Sequence, residues 1–199
     1  PHFPVYLFSG RIIYEMVIGA CGKALGSITD NASLLKKTYV SKFMFPLAKI
    51  ASTLVDSLFS LGAFLIVIIF TRSPFYWTML LFPFIFLQAF IFACGMGFFL
   101  AQLHVFFRDT RYIWNAVTTA WMYCSAIFYP IDMLPDWLKL LVNYFNPLYV
   151  YIKQFRCIAH QGVMPDLTTI GLGFLYAFLF FGLGVLCFKK NQDKFILYI

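Results

Sequence analysis

The apolar positions of this chain gather into five long segments, at about 5–27, 46–70, 76–103, 112–131 and 167–188. Polar and basic connections separate them, at 28–45, 71–75, 104–111 and 132–166. A helix needs about 20 mostly apolar residues to cross the hydrocarbon core of a bilayer, and each segment is of that order. The pattern predicts an all-α integral membrane protein, with a single transmembrane domain over 1–199 and five spans. Helices satisfy their own backbone in lipid, where no water can do so.

The densest punctuation lies between Phe107 and Leu148. A charged turn, Arg108-Asp109-Thr110-Arg111, precedes the fourth segment. Asp109 or Thr110 is expected to cap that helix, and the Asp109 charge suits the positive end of its dipole. Pro130 and Pro135 then break the chain. Pro135 can open a short amphipathic helix over Asp136–Tyr144, because proline is tolerated in a first turn. Asn146-Pro147 ends it, since the residue before proline avoids the helical region. Trp137, Leu138, Leu141, Val142 and Phe145 give that piece an apolar face, with Lys139 and Asn143 off it. Such a helix lies in the outer interface or dips in and returns.

Composition narrows the class. Charged residues make up 12% of the chain, against about 25% in soluble domains, so a soluble fold is excluded. The net charge of +7 then reads as basic loops facing the cytoplasm rather than a nucleic-acid surface. Lys23, Lys36, Lys37, Lys42, Lys49, Arg108, Arg111, Lys189, Lys190 and Lys194 fall at one end, and Arg11, Arg72, Lys139, Lys153 and Arg156 at the other. The richer end is the cytoplasmic one. Cys21, Cys94, Cys124, Cys157 and Cys187 form no CxxC pair and read as small buried hydrophobes.

Polar residues inside spans are functional candidates by default. Arg11 and Glu15 share a helix face at i, i+4 and can pair. Asp56 is either packed among Ser52, Thr53, Ser57 and Ser60 or lines a water-filled path. Gly19, Gly22 and Gly26, and the series Ala93, Gly97, Ala101, are small-residue faces that let helices approach closely. Trp114, Trp121 and Phe128 recur at seven-residue spacing, near one stripe of the fourth helix. They serve either as lipid contacts or as an aromatic lining on which a sugar chain could stack. In the first connection, Asp30 or Asn31 can cap a short helix whose Leu34 and Leu35 make an apolar patch ahead of Lys36 and Lys37.

Several chemistries are missing from the sequence. Gly22-Lys23 is not followed by Ser or Thr, so there is no Walker A loop. His2, His104 and His160 are scattered, and no metal cluster or catalytic set can be read. Energy for transport would come from another chain or an ion gradient.

Three blocks, in order along the whole chain, resemble the permease subunit of bacterial ABC exporters for lipid-linked polysaccharide, the group that exports O-antigen, teichoic acid and capsule. The first is Leu7-Phe8-Ser9-Gly10 with Gly26-Ser27-Ile28, Asp30-Asn31, Leu35-Lys36-Lys37 and Pro46. The second is Phe106-Phe107-Arg108-Asp109. The third is Ser125–Pro130 with Asn146-Pro147-Leu148 and Arg156. Ala126, where the family often has proline, and the charged Arg11 and Glu15 depart from the pattern.

The resemblance implies a type-2 ABC exporter transmembrane domain in the bacterial cytoplasmic membrane. With Pro1 not preceded by Met, it also implies a truncated start and six spans in the full chain. Two copies of the permease and two copies of a separate ATPase would assemble. ATP and Mg would be bound on the ATPase, with no cofactor, metal or catalytic residue on this chain. Asn31–Lys42 would couple to the ATPase, through Asn31, Leu34, Leu35, Lys36 and Lys37. Arg108, Asp109 and Arg111 would stand at the cytoplasmic entrance. Leu134–Asn146 would form short re-entrant outer gate helices, marked by Pro135, Trp137, Asn146 and Pro147, within the outer loop 132–166. The alternatives are a related permease for a drug or lipid, an integral-membrane enzyme acting on lipid-linked substrates, and a structural subunit.

Overall fold

The computed structural model describes residues 3–37, 40–72 and 74–198. Every regular element among them is helical. In chain order these are α1 (Phe3–Leu25), α2 (Ala32–Lys37), α3 (Met44–Phe70), α4 (Phe82–Phe106), α5 (Thr110–Cys124), α6 (Asp136–Phe145), α7 (Pro147–Arg156), α8 (Leu167–Asn191) and α9 (Phe195–Tyr198). A 3-10 turn, Trp77–Leu81, leads into α4.

Helix α4 is the axis of the bundle. It is apolar on all sides, and such a helix belongs inside a protein or membrane. It packs against α1, α3, α7 and α8. Its small residues set the spacing. A Cβ on Gly97 would sit 2.7 Å from Ile50 Cδ1 and 3.0 Å from Ala24 Cβ, so the Ala93–Gly97–Ala101 face seats α1 and α3. On another side, a Cβ on Gly95 would fall 2.3 Å from the Phe180 backbone, and one on Gly184 would fall 2.1 Å from Gly95 O. There α4 and α8 touch backbone to backbone. Of Gly19, Gly22 and Gly26, only Gly19 meets a neighbouring helix, where a Cβ would stand 3.6 Å from Thr53 Cγ2 of α3. Gly22 faces open space, and Gly26 makes room for the side chains of Arg111 and Asp30 rather than for a helix.

Four helices are long and apolar enough to cross a membrane: α1, α3, the Trp77–Phe106 helix and α8 with its short continuation. The predicted fourth segment, 112–131, is the exception. Its helix, α5, has 15 residues and ends at Cys124, short of the ~20 that a span needs. The chain leaves the helix through Ser125 and enters positive φ at Ala126 (47°), a conformation rare for a residue with a Cβ.

The outer loop is more structured than expected. Helix α6 starts where predicted, with Pro135 as its N-cap rather than inside its first turn. It buries only Val142 and presents Trp137, Leu140, Leu141, Tyr144 and Phe145 outward. Asn146-Pro147 ends α6 and also begins α7. Asn146 Oδ1 accepts from Tyr149 N at 3.3 Å and Pro147 fills the first turn, the N-cap and N1 arrangement that starts helices. Helix α7 returns into the bundle. Tyr151 and Phe155 are fully buried, and Phe155 stacks on Phe82 with centroids 4.6 Å apart. Re-entrant backbone at membrane depth needs protein around it, and α1, α4 and α8 supply that cover.

Beyond α8 the tail also folds back. Phe195 is buried against Phe106 and Phe188, and Lys42 Nζ donates to Gln192 O at 2.6 Å. All five cysteines are free; Cys21 and Cys94 are buried, and Cys124, against expectation, is exposed.

Candidate functional site

The basic end of the bundle carries two adjoining clefts. The larger, about 570 Å³, is lined by Thr29, Asp30, Ala32, His104, Arg108, Asp109, Arg111, Tyr112 and Tyr198. The smaller, about 340 Å³, is lined by Gly22, Lys23, Gly26, Asp30, Lys49, Ser52 and Arg111. Asp30 and Arg111 belong to both, and form the wall between them. Three basic elements converge here: the end of α1, the start of α3 and the turn before α5. Arg108, Asp109 and Arg111 therefore stand together at one mouth.

The local geometry is loose. No side chain caps the start of α5, and Asp109 occupies the N-cap position without a side-chain bond. Thr110 Oγ1 instead donates back to Phe107 O at 2.5 Å, so the capping expected of these two residues is absent. Arg111 approaches Asp30 at 3.9 Å, with side chains 54% and 64% exposed. Asp56 is neither sunk among serines nor alone: Lys23 Nζ reaches it at 2.5 Å, joining α1 to α3. Arg11 and Glu15 do pair, at 2.6 Å, on an exposed face of α1.

Helix α2 stands beside these clefts. Leu34 and Leu35 part company there. Leu35 sinks into the core with Ala20, Ala24, Ile28 and Ile50, while Leu34 points outward with Lys36 and Lys37. Asn31 does not cap α2 with its side chain. Its Nδ2 donates to Ser27 O at 2.8 Å, tying α2 to the end of α1. The expected coupling segment 31–42 also includes Thr38 and Tyr39, which lie outside the described residues.

The opposite end is built tightly. Arg156, only 7% exposed, donates to Ala126 O at 3.0 Å and Ile127 O at 2.9 Å. Its guanidinium lies over the Tyr6 ring, 3.7 Å from the centroid. A Cβ on Gly10 would meet Arg156 Nη2 at 2.9 Å, so the glycine leaves room for it. Asn146 is a second knot: it accepts from Trp121 Nε1 at 2.8 Å, and its Nδ2 donates to Ser125 Oγ at 3.1 Å. Tyr6 OH donates to Tyr129 O at 3.0 Å. Pro147 is buried at the head of α7, while Pro135 and Trp137 are exposed around α6.

The aromatic stripe of α5 faces mostly inward. Trp114 is buried among Cys21, Leu25 and Leu100 and meets Trp121 edge to face at 6.4 Å. Trp121 is held by Asn146, which leaves Phe128 as the exposed ring of the three. Trp114 is therefore closed to a sugar chain, while Trp121 stays partly exposed. The outward face of α5 carries Tyr112, Asn115, Thr119 and Tyr123 instead. Asp30, His104 and Lys23 were not singled out as site residues by the sequence, because their partners lie on other helices.

A sequence profile of the ABC-2 type transporter family matches residues 5–160. The chain belongs to this family. The matched region of this ABC-2 chain runs from α1 through α7 and holds the Arg156 knot, the smaller cleft and every lining residue of the larger one except Tyr198. The chain is 24% identical to the O-antigen export system permease protein RfbA of Myxococcus xanthus, over 83% of its own length and 64% of that protein. It is 24% identical to the O-antigen export system permease protein RfbA of Klebsiella pneumoniae, over 98% of its length and 75% of that protein. The ABC-2 chain thus spans about two thirds of the first relative and three quarters of the second.

Proposed function

We propose that this chain is the membrane-spanning permease subunit of an ATP-driven exporter that moves a lipid-linked polysaccharide across the bacterial cytoplasmic membrane. Family membership supports a transport role, and the likeness to O-antigen export permeases supports the class of cargo. The observation that carries the reading is the set of α2 at the basic end. One leucine anchors the helix in the core, while Leu34, Lys36 and Lys37 face outward.

A short anchored helix with an outward apolar residue and two cations suits a cleft on an ATPase partner. Because Leu35 is buried and Asn31 is bonded to Ser27, a push on α2 passes into α1 as rigid-body movement. ATP and Mg would be held by that partner, two copies of it beneath two copies of this chain. Arg108, Asp109 and Arg111 would form the cytoplasmic entrance, where an anionic headgroup meets guanidinium groups able to grip it bidentately. The knotted outer end, with α6 and α7, would be the outer gate.

The test is purification of the full-length protein from detergent extracts with Leu34→Asp, and with 31–37 replaced by a Gly/Ser linker. Both changes are expected to remove a co-purifying ATPase while leaving the permease folded. An intact chain that brings no ATPase down even in unaltered form would overturn the reading. Cells lacking the chain are expected to accumulate a lipid-linked glycan on the cytoplasmic side.

A further inference from the structure

Lys189-Lys190 marks the cytoplasmic end of α8, but the chain beyond it does not run on into water. A 3-10 turn, Gln192–Lys194, reverses its course, and α9 lays Phe195 against the bundle with 0% of its surface exposed. The Phe195 ring meets Phe188 at 5.2 Å and Phe106 at 5.9 Å, and Tyr198 meets Phe106 edge to face at 5.0 Å. Two polar ties flank these rings. Asn191 Nδ2 donates to Gln102 Oε1 at 3.2 Å, and Lys42 Nζ donates to Gln192 O at 2.6 Å.

What this segment touches is the surroundings of α2. Phe188 carries the contact on to Phe43, 4.4 Å away, on the chain between α2 and α3. Leu35, the anchor of α2, belongs to the same apolar cluster as Phe188 and Phe195. Tyr198 lines the larger cleft together with Ala32, the first residue of α2. Helix α2 needs outside support. It has six residues, and isolated helices shorter than about 12 are marginal in water. It buries only Leu35, and one side chain alone leaves a helix free to roll.

We infer that the segment 192–198 is a brace that sets the position of α2, with Phe195 and the Lys42–Gln192 tie as its positioning contacts. This rests on the reading of α2 as the coupling element and adds a mechanism to it. Helix α2 is held from two sides. Asn31 ties its start to the end of α1. The brace ties the chain leaving it to α8, whose backbone lies directly on α4 at Gly95 and Gly184. A short helix held in this way is a lever with its fulcrum on the α4–α8 side. A push on Leu34, Lys36 and Lys37 then moves α1 against that body, as one rigid element against another. Without the fulcrum the same push displaces α2 and goes no further.

The experiment has two arms. The first follows hydrogen exchange in the full-length protein in lipid nanodiscs. Phe195→Ala is expected to speed exchange over 31–37 about tenfold, because α2 then opens locally without breaking the cluster, while α4 keeps its protection. Phe195→Leu refills most of the space with apolar volume and is expected to restore the slow exchange. Lys42→Met keeps the stem, removes the donor and leaves the core alone; it is expected to speed exchange over 31–37 about threefold, the scale of one lost hydrogen bond. The second arm uses the whole transporter in proteoliposomes and reads glycan exported per ATP hydrolysed. Phe195→Ala is expected to lower that ratio about fivefold, in the range of substitutions that alter coupling without touching a ligand, while hydrolysis continues. Phe195→Leu is expected to recover it.

Faster exchange confined to 192–198 would overturn the brace and leave α2 standing as the coupling element. Faster exchange over 31–37 with an unchanged export ratio would overturn the lever. Protection lost equally from α4, neither repaired by Phe195→Leu nor matched at α2 by Lys42→Met, would reduce the segment to ordinary core packing and overturn the proposal. An unaltered chain that binds no ATPase is a separate failure, visible before any substitution is made: it removes the coupling reading, and the lever with it.

Discussion

Arg156 and Arg111 stand at opposite ends of this bundle under opposite conditions. Arg156 is buried, clamps two consecutive carbonyls and lies over Tyr6. Arg111 is exposed and touches one carboxylate at 3.9 Å. Both are placed over a glycine, Gly10 for the first and Gly26 for the second. In the first case the space is filled by a fixed group; in the second it is left to a pair that can separate. A guanidinium bonded to carbonyls stays where the backbone is, whereas a loosely paired one is free to change partner. The contrast places structure at the outer end and exchange at the basic end.

The comparison can be broken most severely at Arg156. Arg156→Ala strands the carbonyls of Ala126 and Ile127 inside the protein, and is expected to cost about 3 kcal/mol. Thermal unfolding in detergent would read the loss, and hydrogen exchange is expected to rise over 125–130 while α4 stays protected. Arg156→Lys keeps the charge without the fork and should recover only part of it. Second in size is Gly184→Ala, which forces a methyl against Gly95 O and is expected to cost about 2 kcal/mol. Gly171→Ala on the same helix, where the Cβ meets open space, is expected to be neutral by the same assay.

Asn146→Ala comes third. It frees Trp121 Nε1 and Ser125 from their shared partner, with an expected loss of about 1.5 kcal/mol and a shift in tryptophan emission. At the basic end the effect on stability shrinks to almost nothing. Asp30→Asn is expected to change unfolding by no more than about 0.5 kcal/mol, as exposed ion pairs do. An unfolding loss there as large as that of Arg156→Ala would erase the distinction between the two ends.

The sequence disclosed these regions unequally. Apolar runs announced α1, α3, α4 and α8, because lipid imposes the same demand on every such helix. The small-residue face Ala93–Gly97–Ala101 was legible for the same reason. The early end of α5 was not, since it depends on Arg156, which lies 30 positions further along. Apolar periodicity alone carried the prediction past Cys124. Helix α7 is hidden in the sequence because Asn146-Pro147 signals the end of α6 as readily as the cap of the helix that follows. Arg108, Asp109 and Arg111 were found from their turn, but Asp30 and His104 joined them only when separate helices met. Trp114 and Trp121 had the right spacing for a stripe, yet periodicity does not say whether a stripe faces a path or a neighbour.

The contact of Gly95 with Gly184 has a mechanical consequence. With no side chains between them, the two backbones have no cushion to slide on and no rotamers to absorb a shift. Helices α4 and α8 therefore travel as one body, a stator for the rest of the domain. Any hinge that opens a passage belongs elsewhere, for example at the start of α5, where Arg111 meets Asp30 through an exposed ion pair that water can replace.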